Sequence, residues 1–141
     1  YAPADVAAAD RETAEALLAA TGKTVWVAEE SGIDAITAIS GSGPAYVFYL
    51  IEALEEAAVH LGFDAATAKM LALETFAGAL ALAESSPESV ATLRARVTSP
   101  GGTTERAIAS FDAAQLKAVI GVGVNACQAR SVELGELLAK G

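Results

Sequence analysis

The sequence has 141 residues and a formal net charge of −9, which is enough chain for one domain with a single core. Hydrophobic residues make up 53% of it but aromatic residues only 6%, a composition that favours closely packed helices over sheets. The negative charge, with no stripe of Lys and Arg to offset it, excludes nucleic acid as an expected partner.

Neither a membrane span nor an export signal is predicted. A spanning helix needs about 20 consecutive apolar residues, and Glu52, Glu55 and Glu56 interrupt the segment considered for that role. The N-terminus lacks the basic-then-apolar pattern of a signal peptide, and a single cysteine cannot form a disulfide within the chain. We therefore expect a cytoplasmic protein without a membrane partner.

The first thirty residues predict a helix followed by a short strand. Asp5 is suited to cap a helix that runs to Leu18, and Gly22 follows as a stop signal. Residues 24–27 are β-branched or aromatic, which is typical of a strand. A lone strand cannot satisfy its own backbone groups. We therefore interpret residues 1–30 as the tail of a neighbouring domain that contains a sheet.

From Ser31 onward the pattern is helical, and residues 31–141 are interpreted as one all-α domain. Breaks are predicted at residues 40–44, 62–64, 85–87 and 99–102. Pro44 and Pro87 fit the first turn of a helix, and Asp64 and Ser86 have oxygens suited to N-capping.

Two of these helices are apolar around most of their circumference. The helix over residues 65–84 has Lys69, Glu74 and Glu84 as its only charges, and the last helix, from about residue 113 to 140, has a small, uncharged middle. Such helices should be buried on nearly all sides, which one small domain has difficulty achieving. We expect a second copy of the chain to cover them, in an interwoven homodimer.

Three familiar kinds of site are not supported. His60, the only histidine, falls in the last turn of a helix, and Cys127 falls in an apolar helical stripe, so neither a metal cluster nor a nucleophile–histidine pair is predicted. Residues 121–126 match the loose dinucleotide fingerprint, but only fifteen residues follow them. Close packing between helices explains those glycines better.

Two glycine-rich segments, residues 40–44 and 99–104, each precede a helix. Free N–H groups at a helix N-terminus favour an anion, and glycine leaves room for a small ligand. Both are candidate anion sites, although the same sequences are common in ordinary turns and caps.

At these two segments the sequence resembles pyrroline-5-carboxylate reductase. Residues 34–48, which read DAITAISGSGPAYVF, are similar to the family's domain-entry motif, and residues 97–107, which read VTSPGGTTERA, to its signature near the C-terminus. The resemblance implies a Rossmann domain that binds NADPH or NADH, of which residues 1–30 would be the C-terminal tail. A helical domain like that of 6-phosphogluconate dehydrogenase, which dimerises by interlocking, would follow it. A chain without the first domain is expected to bind no cofactor and to be inactive alone.

The resemblance also implies a reaction and a set of residues. Hydride passes from the nicotinamide to the C=N carbon of 1-pyrroline-5-carboxylate and gives L-proline. The N–H groups of Gly102 and Thr103, with the Ser99 hydroxyl, would hold the substrate carboxylate. The Thr104 hydroxyl would hydrogen-bond the imine nitrogen, which makes it the catalytic residue.

Three further residues are carried over with smaller roles. Ser42 and Gly43 would lie near the cofactor, and Glu84 is a weaker candidate near the substrate ring. No metal is implied.

Alternatives stay open. The chain could be the helical domain of a related hydroxyacid dehydrogenase, although Lys69 and Lys117 sit in no motif that matches the catalytic lysine of those enzymes. It could also serve only as a dimerisation module. The choice between NADPH and NADH, and assembly of dimers into a ring, are not determined by the sequence.

Overall fold

The computed structural model describes residues 1–140, and all regular secondary structure in that range is helical. The helices are α1 (Ala8–Ala19), α2 (Gly32–Ile36), α3 (Gly43–His60), α4 (Ala65–Ser85), α5 (Val90–Arg96), α6 (Thr103–Ala113) and α7 (Leu116–Leu138), and a π-helical turn (Thr37–Gly41) follows α2. The predicted all-α class is confirmed.

The N-terminal part differs from its prediction in two ways. Helix α1 begins at Ala8 after the N-cap residue Ala7, which makes no side-chain cap, so Asp5 does not cap it. Residues 23–27 belong to no helix or strand, so the predicted strand is wrong for the part of the chain described here. Without a neighbouring strand, this β-favouring run has no ladder to join.

The chain divides into two compact units, and the predicted boundary after residue 30 stays a prediction. One unit is Tyr1–Ser42 together with the chain from Gly123 on, and the other is Gly43–Val122. In the first unit, Asp34 Oδ1 accepts a hydrogen bond of 2.6 Å from the Ser131 hydroxyl. This bond ties α2 to the C-terminal half of α7.

In the second unit, α3 and α4 pack against each other. Ala68 and Ala72, one turn apart on α4, are both buried, which fits the close approach that small residues allow. Asp64 caps α4 as predicted, since its Oδ1 accepts the N–H groups of Ala66 and Thr67 at 3.0 Å each. The preceding turn has Gly62 at φ +99°.

The next break lies a little further along the chain than predicted. Helix α5 is capped by Ser89, whose Oγ accepts Thr92 N–H at 3.2 Å. Ser86 instead accepts Glu88 N–H within the preceding turn, and Pro87 lies before the helix rather than in its first turn. Ser89, directly before the first helical residue Val90, supplies the capping oxygen in place of Ser86.

The core of the described chain is very small. Within residues 1–140, only Ala38, Ala68 and Ala72 are fully buried, and thirty large apolar side chains are exposed. Helix α4 was expected to be buried on nearly all sides, yet Met70 and Leu80 are 53% and 61% exposed. One copy of the chain does not bury α4, so its burial stays a prediction that depends on a second copy.

The chain exposes more surface than its two units would leave if each were compactly folded. Two separate compact globules of these sizes would expose about 8,100 Å² together, whereas the chain exposes 10770 Å². The excess of roughly 2,600 Å² is larger than the 800 Å² or so that each partner buries in a standard protein interface.

Helix α4 is also long and apolar enough to cross a membrane, as is the bent pair of α6 and α7 taken together. The glutamates that led us to expect no span lie in α3, whereas α4 carries only Lys69, Glu74 and Glu84 as charged residues. The core helix of a protein assembly can have the same length and composition.

Candidate functional site

The candidate site is built on the turn between α5 and α6. Helix α5 ends at Arg96 with Val97 as its C-cap, and the Thr98 hydroxyl donates to the Arg94 carbonyl at 2.6 Å. Gly102 N–H then donates to the Ser99 carbonyl at 3.0 Å, which closes a tight turn over residues 99–102. The signature segment is therefore an ordered turn attached to the helices on both sides.

Both glycines of the turn have a structural reason. Gly101 adopts φ +73°, a left-handed conformation that side-chain-bearing residues rarely adopt. A Cβ on Gly102 would lie 3.0 Å from the Ser99 carbonyl oxygen, which is closer than an ordinary van der Waals contact. Larger residues at either position would distort the turn.

Glu105 holds the turn from the helix side. Its Oε2 accepts the N–H of Gly101 at 2.7 Å. Glu105 is the third residue after the helix N-cap Gly102, the position from which a glutamate can reach back over the first turn.

The mouth of α6 has free hydrogen-bond donors. Within residues 1–140, the N–H groups of Thr103, Thr104 and Glu105 have no acceptor, as expected for the first turn of a helix. Thr103 and Thr104 are exposed. A helix N-terminus with free N–H groups attracts an anion, so a small carboxylate can be held here.

The geometry refines the donors that the sequence suggested. Gly102 N–H was expected to hold a carboxylate, but it is already donated to Ser99. The free donors lie one residue further along, at Thr103 and Thr104. The Ser99 and Thr104 side chains are exposed and accessible to a ligand.

The second glycine-rich segment has a different structure from the one expected. Residues 37–41 form a π-helical turn, and Ser42 N–H donates to the Thr37 carbonyl at 2.8 Å. The segment is therefore helical up to Gly41, and it does not form the open loop that the sequence suggested. The Ser42 hydroxyl accepts a hydrogen bond from Cys127 Sγ at 3.2 Å, and a Cβ on Gly43 would meet nothing within 4 Å.

The remaining candidates add little. Glu84 is exposed near the end of α4 and forms no ion pair within residues 1–140. His60 is exposed, with its Nδ1 2.7 Å from the Glu56 carbonyl oxygen. Across residues 1–140, no group of three His, Cys, Asp or Glu side chains could hold a metal ion.

Sequence reasoning missed three residues that organise these segments, namely Glu105, Asp34 and Ser131. Glu105 was detectable, because a glutamate three residues after a helix N-cap is a recognised capping pattern. The bond between Asp34 and Ser131 joins residues 97 positions apart, and no local sequence pattern predicts such a pairing.

The described residues form a helical chain with a small core and exposed apolar helix faces, which is typical of a helical association domain. Residues 30–134 match the family described as pyrroline-5-carboxylate reductase dimerisation. The chain belongs to this family, and the resemblance stated from its two motifs is confirmed.

Curated relatives carry the same name. The chain is 49% identical over 140 residues to pyrroline-5-carboxylate reductase of Pseudomonas aeruginosa, an alignment that covers 99% of this chain and 51% of the relative. It is 40% identical over 138 residues to the Haemophilus influenzae reductase, with 97% and 51% covered. The chain thus spans about half the length of the curated relatives it matches.

Solved structures agree on the fold. A Coxiella burnetii pyrroline-5-carboxylate reductase superposes with a TM-score of 0.87 and 41% identity, covering 94% of this chain and 49% of the other. The Plasmodium falciparum pyrroline carboxylate reductase, in a structure with NADP bound, superposes with a TM-score of 0.82 and 30% sequence identity. The match covers 94% of this chain and 50% of the other.

Proposed function

We propose that this chain is the dimerising, substrate-binding half of an NAD(P)H-dependent reductase that converts 1-pyrroline-5-carboxylate to L-proline. The free N–H groups at the mouth of α6 carry this proposal, because they lie in the segment that resembles the family signature. The family match and the names of the relatives support the same activity.

The proposed chemistry needs positioning rather than a nucleophile. A protonated imine is already a good hydride acceptor, so the protein has to orient the substrate and stabilise its charges. Thr103 and Thr104 N–H, with the Ser99 hydroxyl, would bind the carboxylate. The Thr104 hydroxyl would then hydrogen-bond the ring nitrogen and fix the face of the C=N bond that receives hydride.

The described residues do not fit a dinucleotide. Gly121 and Gly123 lie within α7, whereas a dinucleotide fingerprint needs a strand, a glycine turn and the start of a helix. We therefore assign the nicotinamide cofactor, which supplies the hydride when bound, to the other half of the reductase. NADPH added to this chain alone should leave the fluorescence of Trp26 unchanged.

We also propose that a second copy of the chain, rather than lipid, covers α4. Glu74 lies near the centre of this helix, where a charged residue in a bilayer costs about 2.5–3.5 kcal/mol. The excess exposed area and the family's description as a dimerisation domain support a homodimer, which we propose is cytoplasmic.

The activity is tested by joining this chain to a cofactor-binding partner. In the test protein, this chain replaces the 140 residues of the Pseudomonas aeruginosa relative that align with it. We call the resulting hybrid protein the joined reductase. We expect NADPH oxidation that depends on 1-pyrroline-5-carboxylate and yields L-proline. A joined reductase that is dimeric and folded but inactive would contradict the proposed function.

The other candidate function is dimerisation alone, and the small core favours it as a minimum role. L-Proline titrated into this chain separates the two. Saturable binding that is lost in the Thr104→Ala variant supports a substrate site, whereas a dimer that binds no proline and gives an inactive joined reductase supports the assembly role only.

A further inference from the structure

Glu105 is an acidic residue at a helix mouth that we propose binds an anion. Its negative charge opposes a bound carboxylate, so its presence there needs a reason. The carboxylate forms no ion pair within residues 1–140. Its one hydrogen bond in that range is the 2.7 Å contact from Gly101 N–H to Oε2.

That contact fixes the most flexible point of the turn. Gly101 adopts φ +73°, and a glycine without an anchored N–H visits many other conformations. Its neighbour Gly102 can turn its own N–H toward Ser99 only while Gly101 keeps this conformation, because the two share a peptide unit. The Glu105 bond thereby sets the direction in which the chain enters α6.

We propose that Glu105 is a positioning residue for substrate binding. Its side chain acts through Gly101 to hold the turn so that the Ser99 hydroxyl and the Thr103 and Thr104 N–H groups face one carboxylate. Glu105 does not touch the substrate. This inference rests on the proposed function, since it concerns the same site.

The length of the Glu105 side chain and its charge can be varied separately, and each predicts a different result. If the hydrogen bond matters, a side chain of the same length with an acceptor oxygen must preserve binding, even without charge. Glu105→Gln keeps the reach and removes the charge, whereas Glu105→Asp keeps the charge and shortens the reach by one methylene. Glu105→Ala removes both.

The experiment measures steady-state kinetics of the joined reductase. We expect the KM for 1-pyrroline-5-carboxylate to rise about tenfold in Glu105→Ala and Glu105→Asp, and to stay within about threefold of the unsubstituted value in Glu105→Gln. The KM for NADPH should not change. Glu133→Ala, which removes an exposed glutamate paired with Arg130 on α7, is the matched control.

Amide hydrogen exchange gives a readout that does not depend on turnover. In the chain alone, exchange at Gly101 should be faster in the Ala and Asp variants than in the Gln variant. If the Ala variant does not fold, the Asp and Gln pair still separates reach from charge.

The outcomes are distinguishable. An inactive unsubstituted protein overturns the proposed function, and the inference with it. An active protein in which Glu105→Ala keeps its KM overturns the inference alone. The inference is also overturned if Glu105→Gln raises the KM while Glu105→Asp does not, because charge rather than reach would then be the property that matters.

Discussion

Thr104 is the residue on which the proposed chemistry depends most directly, because it offers both a free N–H and an exposed hydroxyl at the mouth of α6. In the joined reductase, Thr104→Ala should lower kcat/KM at least about tenfold, since a hydrogen bond to a charged group contributes roughly 1.5–3 kcal/mol. Steady-state kinetics with 1-pyrroline-5-carboxylate measures the effect.

The control is Thr13→Ala, which removes a hydroxyl that bonds only to the Ala9 carbonyl on the exposed face of α1. It should leave kcat/KM unchanged. Equal kinetics for the Thr104 variant and the unsubstituted protein would refute the role of the Thr104 hydroxyl.

Asp64 links stability to pH. The hydrogen bond from the Thr67 hydroxyl, followed by the backbone N–H of Thr67, lowers the pKa of the Asp64 carboxyl. A lowered folded-state pKa means that the cap stabilises fully above the ordinary aspartate pKa and loses this contribution as the pH falls through the lowered value. The difference in Tm between the unsubstituted chain and Asp64→Ala should therefore shrink below about pH 4.

Ser89→Ala is the matched control, because Ser89 caps α5 through a group that does not titrate in this range. Its Tm difference should stay constant across the same pH series at fixed protein concentration. A constant difference for Asp64→Ala as well would show that the carboxylate charge adds nothing to the cap.

At the scale of elements, periodic patterns predicted most helices and local chemistry predicted some of their ends. The Asp64 cap was recognisable because aspartate precedes an apolar helical run. The strand at residues 24–27 failed because a strand needs a neighbour that the described chain does not supply. The π turn was missed because its backbone hydrogen bonds, such as that from Ser42 N–H to the Thr37 carbonyl, leave no recognisable pattern of residue types.

The turn between α5 and α6 was predicted from its residue types, but its hydrogen bonds were not. The two glycines and two threonines marked the turn, but the sequence could not show which N–H groups the turn consumes. Gly102 donates within the turn and Glu105 holds Gly101. Both hydrogen bonds depend on the backbone conformation of the turn, and the residue types limit that conformation but do not determine it.

Helix α7 allows a test of whether its small middle segment is a contact surface. A Cβ on Gly123 would meet nothing within 4 Å in one chain, and leucine favours a helix over glycine by nearly 1 kcal/mol. If a second copy packs closely here, Gly123→Leu should nevertheless weaken the dimer about tenfold or more, because a large side chain blocks the approach. Sedimentation equilibrium measures the dissociation constant.

Gly135→Leu is the control, since it brings the same gain in helix propensity near the charged end of α7, beside Glu133 and Glu136. Its dimer affinity should be unchanged. A Gly123 variant with higher Tm and undiminished association would identify the segment as free surface.

At the scale of the whole molecule, the small core predicts that folding is coupled to the proposed dimerisation. With three alanines as the only fully buried residues described, an isolated copy has little apolar contact to offset chain entropy. We expect a dimer by light scattering at micromolar concentration and a Tm that rises with protein concentration. A stable monomer with a concentration-independent Tm would contradict the proposed dimer.

The thirty exposed apolar side chains also bear on the life of a newly made subunit. Until it meets a partner, such a chain presents the kind of surface that chaperones retain and proteases attack. Under the proposed dimerisation, pairing completes the core and removes that signal in one step. Orphan subunits would then be cleared while paired ones persist, so that the cell keeps the enzyme only in its assembled form.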